Sequence, residues 1–198
     1  PFTPAELLQV VERALAKTIK ARRDREIERT YATAEKAIKS SLDLKELLNL
    51  IGASVAGLLK VKGAAVFLYK KADEALELAS SYGLSDEYLQ KGVLLSEKSI
   101  SAVLNSVKPI VVQQEDFDTE LQYPAEARKE GIAGIMSVPL TINGTVIGVL
   151  RIYSASRLSL SDEETDLLLR FSEQAARALE NAMVYERVKE DIEGIKRG

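Results

Sequence analysis

Apolar residues recur along this chain at helical spacings near both ends and in strand-like runs between them. At the front, Leu8, Val11, Leu15 and Ile19 follow steps of three, four and four. They stand behind Thr3-Pro4-Ala5-Glu6, where a capping hydroxyl, a proline at the first helical position and a returning carboxylate predict a helix start. Lys20 to Glu26 interrupts the stripe and reads as a solvated helical linker. Ile27, Tyr31, Ala34 and Ile38 then restore it at four-three-four, the spacing of a short coiled-coil seam against another helix. Asp43 followed by Glu46 repeats the capping pattern ahead of Leu47, Leu48, Ile51, Val55, Leu58 and Leu59.

The middle of the chain changes period. Ala64 to Tyr69 is β-prone, a polar turn follows at Lys70 to Glu74, and Ala75 to Tyr82 returns as its antiparallel partner, closed by Gly83. Residues 84–133 mix short amphipathic helices, around Asp86 to Gln90, Ile100 to Asn105 and Ala125 to Lys129, with one short strand at Ile110 to Val112. Gly134 to Ile142 and Thr145 to Tyr153 flank Asn143-Gly144, a strong hairpin signal because both turn residues tolerate positive φ. Ser161-Asp162-Glu163-Glu164 opens a last helix that is predicted to run beyond Tyr185. Leu168, Phe171, Ala175, Ala178, Ala182 and Tyr185 form one stripe on it, and Leu167, Ala176, Leu179 and Met183 a second. A helix apolar over so wide an arc is expected to bury one face on the sheet and offer another to a partner chain.

Composition removes most chemistries. The 198 residues are 46% hydrophobic and 29% charged, enough for one domain with additional helix. Without Cys there is no disulfide, thiolate nucleophile or thiol for an attached pigment; without His there is no imidazole base, haem ligand or phospho-accepting histidine. No cofactor or metal is expected, and no catalytic residue is assigned. A net charge of -3 argues against a nucleic-acid partner. The absence of a long apolar run argues against a membrane span, which makes the cytoplasm the expected location.

Ile135-Met136-Ser137-Val138-Pro139-Leu140, then Val146-Ile147-Gly148-Val149-Leu150, then the helix from Leu158 to Ala182 resemble the closing half of a GAF domain. Leu44 to Leu59, Gly63 to Tyr69 and Ala79 to Leu84 are similar to that family's opening helix and first two strands. The resemblance covers about residues 41–185 and implies an α+β, PAS-like fold. A central antiparallel sheet would be flanked by helices on one face and a small-ligand pocket bounded by irregular loops on the other, with long terminal helices. None of the four Phe precedes the Asp-Glu pair found in cyclic-nucleotide-binding relatives, and bilin, haem and sulfoxide-reductase relatives rely on Cys or His. Pro1 to Leu15 also resembles the last helix of a response-regulator receiver domain, whose preceding Lys and phosphorylatable Asp would lie upstream.

These resemblances imply four segments: a receiver-domain helix at 1–19, a helical linker or coiled coil at 20–40, a GAF domain at 41–185, and a C-terminal extension at 186–198 toward an output domain. The expected role is a sensory or regulatory module of a bacterial two-component protein, not an enzyme. It would bind a small molecule of unknown identity and work as a homodimer through its terminal helices. The alternative is a structural dimeriser that relays receiver phosphorylation without a ligand. Candidate pocket walls are Val103, Val111, Phe117 and Tyr123; candidate polar hooks are Ser99, Ser137 and Arg151. On residue type alone, Arg151 is more often a solvated or salt-bridged residue of the outer sheet face. Candidate dimer contacts are Ile27, Tyr31, Ala34, Ile38, Phe171, Ala175, Ala178, Ala182 and Tyr185. The alternating acids of Glu115 to Glu120 faintly resemble a calcium loop but lack its glycine, so a solvated loop is expected there.

Overall fold

A computed structural model describes residues 25, 28, 29, 31–37, 43–70, 75–92 and 98–197. The first complete helix, α1 (Leu44–Leu59), starts where the Glu46 N–H donates to Asp43 Oδ1 at 2.7 Å and stops at Lys60, whose φ is 53°. Strands β1 (Gly63–Lys70) and β2 (Ala75–Tyr82) follow, then α2 (Asp86–Leu89), α3 (Lys98–Ser106) and β3 (Ile110–Gln113). After a 3-10 turn come α4 (Phe117–Glu120), α5 (Pro124–Lys129), β4 (Gly134–Ile142), β5 (Thr145–Ser154) and α6 (Asp162–Arg197).

The five strands form one antiparallel sheet in the order β2-β1-β5-β4-β3. Its centre is set by the β4–β5 hairpin, whose turn residues Asn143 and Gly144 have φ of 50° and 79°, as the Asn-Gly pair requires. Gly148 lets β5 approach β1 closely: a Cβ there would lie 2.3 Å from the Phe67 carbonyl oxygen.

Strand alternation gives the sheet two differently covered faces. On the helix face, Ala64, Val66, Val138, Leu140, Leu150 and Ile152 pack against α1 and α6. On the loop face, Ala65, Phe67, Ile135, Val149 and Tyr153 pack beneath the short elements between β2 and β4. α6 begins with a reciprocal capping box, the Glu164 N–H donating to Ser161 Oγ at 3.1 Å and the Ser161 N–H to Glu164 Oε2 at 3.0 Å. It then runs for 36 residues, about 54 Å at 1.5 Å per residue.

The helical segment 31–37 packs on α6 of the same chain. The Tyr31 ring meets Phe171 edge-on with centroids 6.4 Å apart, the Arg170 guanidinium lies 5.8 Å from the Tyr31 ring, and Ala34 is buried. The sequence expectations for residues 1–19 and most of 20–40, Ile27 and Ile38 included, lie outside the described residues. The loop expected around Glu115 to Glu120 is instead a 3-10 turn running into α4, because Phe117 is fully buried and pins the backbone against the loop-face core. Among the described residues, no helix is long and apolar enough to cross a membrane.

Candidate functional site

Val149, Arg151 and Tyr153 are alternate residues of β5 and therefore share its loop face; Ile135 and Ser137 do the same on β4. The register sets Arg151 directly between Ser137 on β4 and Ala65 on β1. This overturns the outer-face expectation for Arg151. β5 is a central strand covered on both sides, and Arg151 is only 1% exposed. Burying a guanidinium is costly unless its charge is met by polar or aromatic groups. One such group is Tyr153, whose ring centroid lies 5.6 Å from the guanidinium carbon. Ser137 is equally buried, and its Oγ makes no hydrogen bond among the described residues.

Arg151 is the inner end of a row in which two rings stand between two cations. Tyr153 meets Tyr88 of α2 edge-to-face at 5.8 Å, and Lys91 Nζ sits 3.6 Å from the Tyr88 ring centroid while donating to the Tyr88 carbonyl at 3.1 Å. Tyr88 also lines an open cleft of about 260 Å³ between α2 and α5, bordered by Ser85, Glu126, Lys129 and Glu130. One aromatic side chain thus touches both the surface cleft and the ring that covers the buried cation.

A carboxylate fastens this region. Glu130, in the turn after α5, accepts from the Ser85 N–H at 3.1 Å and from Ser85 Oγ, and pairs with Lys62 Nζ at 3.3 Å. Ser85 is the N-cap of α2, its Oγ accepting from the Tyr88 N–H at 3.2 Å, so Glu130 holds the helix that carries Tyr88. Partial burial alone would raise the Glu130 pKa. The hydrogen bonds from Ser85 and the Lys62 ammonium outweigh it and hold the carboxyl below its ordinary value. Lys129 and Glu87 form a further, exposed ion pair across the cleft.

Two of the acids of the 115–120 segment are bound by arginines. Asp118 takes a two-pronged contact from Arg128 at 2.9 and 2.6 Å, and Glu115 pairs with Arg157. Hydrogen bonding to the guanidinium lowers both carboxyl pKa values. Among the described residues, no cluster of three or more His, Cys, Asp or Glu is placed to hold a metal ion.

Of the candidate walls, Val103 and Phe117 are fully buried in the loop-face cluster, and Tyr123 is packed against it with its hydroxyl accepting from Gln122 Nε2 at 2.9 Å. Val111 is a correction: it is 45% exposed, because alternation along β3 turns Ile110 and Val112 to the cluster and Val111 away. Ser99 belongs to α3, but its side chain lies outside the described residues. Sequence reasoning missed Tyr88, Tyr153 and Glu130. Tyr153 was accessible in principle, since a residue two positions from Arg151 on a strand shares its face; Tyr88 and Glu130 arrive through tertiary packing that no local spacing encodes.

Most of the residues expected at a dimer seam pack inside the chain. Phe171, Ala175, Ala178 and Ala182 are buried in the chain's own core, and Tyr31 and Ala34 pack against that same stretch. These six residues are used within the chain. Tyr185 is 51% exposed and has Val184, Val188 and Ile192 as exposed apolar companions.

A family model described as GAF domain matches residues 41–180. Solved structures repeat the fold at low sequence identity. The GAF domain of a phosphoenolpyruvate-protein phosphotransferase from Coxiella burnetii is 17% identical with a TM-score of 0.71, covering 81% of this chain and 96% of that one. A domain of a putative two-component sensor histidine kinase from Sinorhizobium meliloti is 22% identical with a TM-score of 0.60, covering 72% and 94%. The GAF domain of a putative sensor histidine kinase from Pseudomonas syringae pv. tomato is 10% identical with a TM-score of 0.64, covering 88% and 99%. No protein of curated function matches the sequence.

Proposed function

Because the chain belongs to the GAF-domain family, we propose that it is a sensory and regulatory module of a bacterial two-component signalling protein in the cytoplasm. It takes a small molecule on the loop face of its sheet and passes the result along paired terminal helices. The observation that carries this reading is the burial of Arg151 beside Ser137 on the face roofed by short helices and turns. A buried guanidinium is costly for a core to keep even when it is partnered, whereas a binding site uses a few fixed polar groups among apolar walls to orient its ligand.

In this reading Val103, Phe117, Tyr123 and Tyr153 wall the site, and Arg151 and Ser137 supply its polar contacts. The Tyr88 segment held by Glu130 lies on the approach to it. A ligand that prefers one packing of sheet and helix shifts the population toward that packing by its differential free energy, and α6 carries the change away from the domain. Residues 1–19 are read as the end of an upstream receiver domain, 20–40 as the connecting segment, and 186–198 as the lead into an output domain. Two of the similar structures are domains of putative sensor histidine kinases, which supports the signalling context. The module is read as a non-enzyme.

The test is native mass spectrometry of the gently purified protein, combined with a melting-shift screen of small metabolites on the wild type and on Arg151→Met. The expected result is a retained molecule or a ligand-induced shift that Arg151→Met abolishes. An empty protein that no metabolite stabilises would favour the second reading, a structural dimeriser. Its supporting observation is that the chain's own Val103, Phe117 and Tyr153 fill the loop-face cluster.

A further inference from the structure

We propose that Gln113 is a positioning residue that couples the loop face of the sheet to α6, its side-chain amide delivering a shift of the Phe117 segment to the linker from which the long helix starts. The proposal deepens the relay in the reading above and takes its use from that reading, but the coupling itself requires no ligand.

The sheet keeps the two cores apart, so a change on the loop face reaches α6 through the strands or around their ends. One way round is built at the end of β3. Ile110 and Val112 face the loop-face cluster, so alternation turns Gln113 to the other side, where Leu158 of the β5–α6 linker is buried in the helix-face cluster. Gln113 Nε2 donates to the Leu158 carbonyl at 2.7 Å, and the Leu158 N–H donates to Gln113 Oε1 at 3.1 Å. A primary amide that gives and takes at one residue copies the pairing of a neighbouring strand. It fixes the linker in direction as well as in distance.

Gly134 makes room for this clasp. It is the register partner of Gln113 on β4, and a Cβ there would lie 2.9 Å from Leu158 Cβ, 3.0 Å from the Leu158 nitrogen and 3.1 Å from Gln113 Oε1. Ser154 turns the linker at the end of β5, its Oγ accepting from the Ser156 N–H at 3.2 Å. Glu115 and Arg157 form an exposed ion pair alongside, which water screens and which therefore supports the clasp only weakly.

What the clasp joins gives it its role. On one side Gln113 runs through a single 3-10 turn, Gln114–Asp116, into α4, which opens with the fully buried Phe117. On the other side Leu158 stands three residues before Ser161, whose side chain caps α6. Both connections are short and hydrogen-bonded. Coupling is carried by contiguous links of this kind, whereas a long loop would absorb the displacement.

Hydrogen exchange in the intact chain tests the coupling, with the amides of α1 as the measure of global opening. Phe117→Leu loosens the loop-face segment. The expected result is faster exchange at residues 114–120 and also at 158–165, the latter by about fivefold or more beyond α1. Gln113→Met, which keeps the length of the side chain and removes the amide, should leave the response of 114–120 and erase that of 158–165. Gln113→Asn, polar but one methylene too short to reach Leu158, should repeat the loss, and it carries the test if the methionine variant folds poorly. An α6 start that follows Phe117→Leu no more than α1 does, or follows it equally with the amide gone, overturns the proposal. A merely structural amide would speed exchange at 158–165 on its own removal and leave no dependence on Phe117 to erase. Coupling in a protein that retains no small molecule would sink the ligand reading alone, and ligand retention with an uncoupled linker would sink this one alone.

Discussion

The two faces of the sheet are built on opposite principles. The helix face is covered by two long regular helices and closed by apolar contacts, with α6 supplying Leu168, Phe171, Ala175 and Leu179. The loop face is covered by helices of four to nine residues and irregular turns, and it holds a buried guanidinium and a buried hydroxyl. Apolar packing accounts for most of the first face, where the buried hydroxyls of Ser80 and Ser172 donate to Asn49 Oδ1 and to the Leu168 carbonyl, each at 2.7 Å. Apolar packing alone does not account for the cation and the hydroxyl buried side by side on the second, and in a folded domain such departures concentrate where function is.

The division can be tested by perturbing each side. Phe171→Ala, on the helix face, should cost about 3–5 kcal/mol in urea unfolding, since it opens a cavity under α6 and removes the surface on which Tyr31 rests. Gly148→Ala, where the sheet is tightest, should cost about 1–3 kcal/mol, because the new methyl meets a strand carbonyl that cannot step aside without disturbing the β1–β5 register. If either change were silent, the helix face and the sheet would be less closely packed than described.

Glu130→Gln should have a smaller effect, and one that depends on pH. The carboxyl of Glu130 is held below its ordinary value of 4.5, so the folded state binds a proton less readily than the unfolded chain. Its stabilising contribution is full above 4.5 and is lost as pH falls through the lower folded value. Glutamine should flatten that acid-side decline, and hydrogen exchange should show faster opening of residues 85–92 at neutral pH. Ser137→Ala should move stability least, by under about 1 kcal/mol or slightly upward, because it deletes a buried hydroxyl that makes no hydrogen bond among the described residues. A large loss there would mean that the hydroxyl serves packing and not recognition.

The same division governs what the sequence discloses. Periodicity located α1, the β4–β5 hairpin with its Asn143-Gly144 turn, and α6 with its capping box, because in each the local pattern and the tertiary role agree. The GAF resemblance read from the order of these motifs agrees with the matched family model. Residue type misjudged Arg151, since cations in strands usually face water and only the central position of β5 shows that this one does not. The apolar stripe of α6 changes surroundings along its length. Phe171 to Ala182 are buried in the chain's own core, and the exposed apolar residues start near Tyr185. Tyr88 and Glu130 carry no local signal, because contacts spanning more than forty residues place both of them.

The proposed relay requires α6 to serve the core along one part of its length and a second copy along the rest. Sedimentation equilibrium of the intact chain at micromolar concentration, alongside Val188→Asp, measures this directly. The account predicts a dimer for the wild type and a monomer of unchanged circular dichroism for the variant. A wild type that sediments as a monomer across that range, or a Val188→Asp dimer indistinguishable from it, would contradict the account.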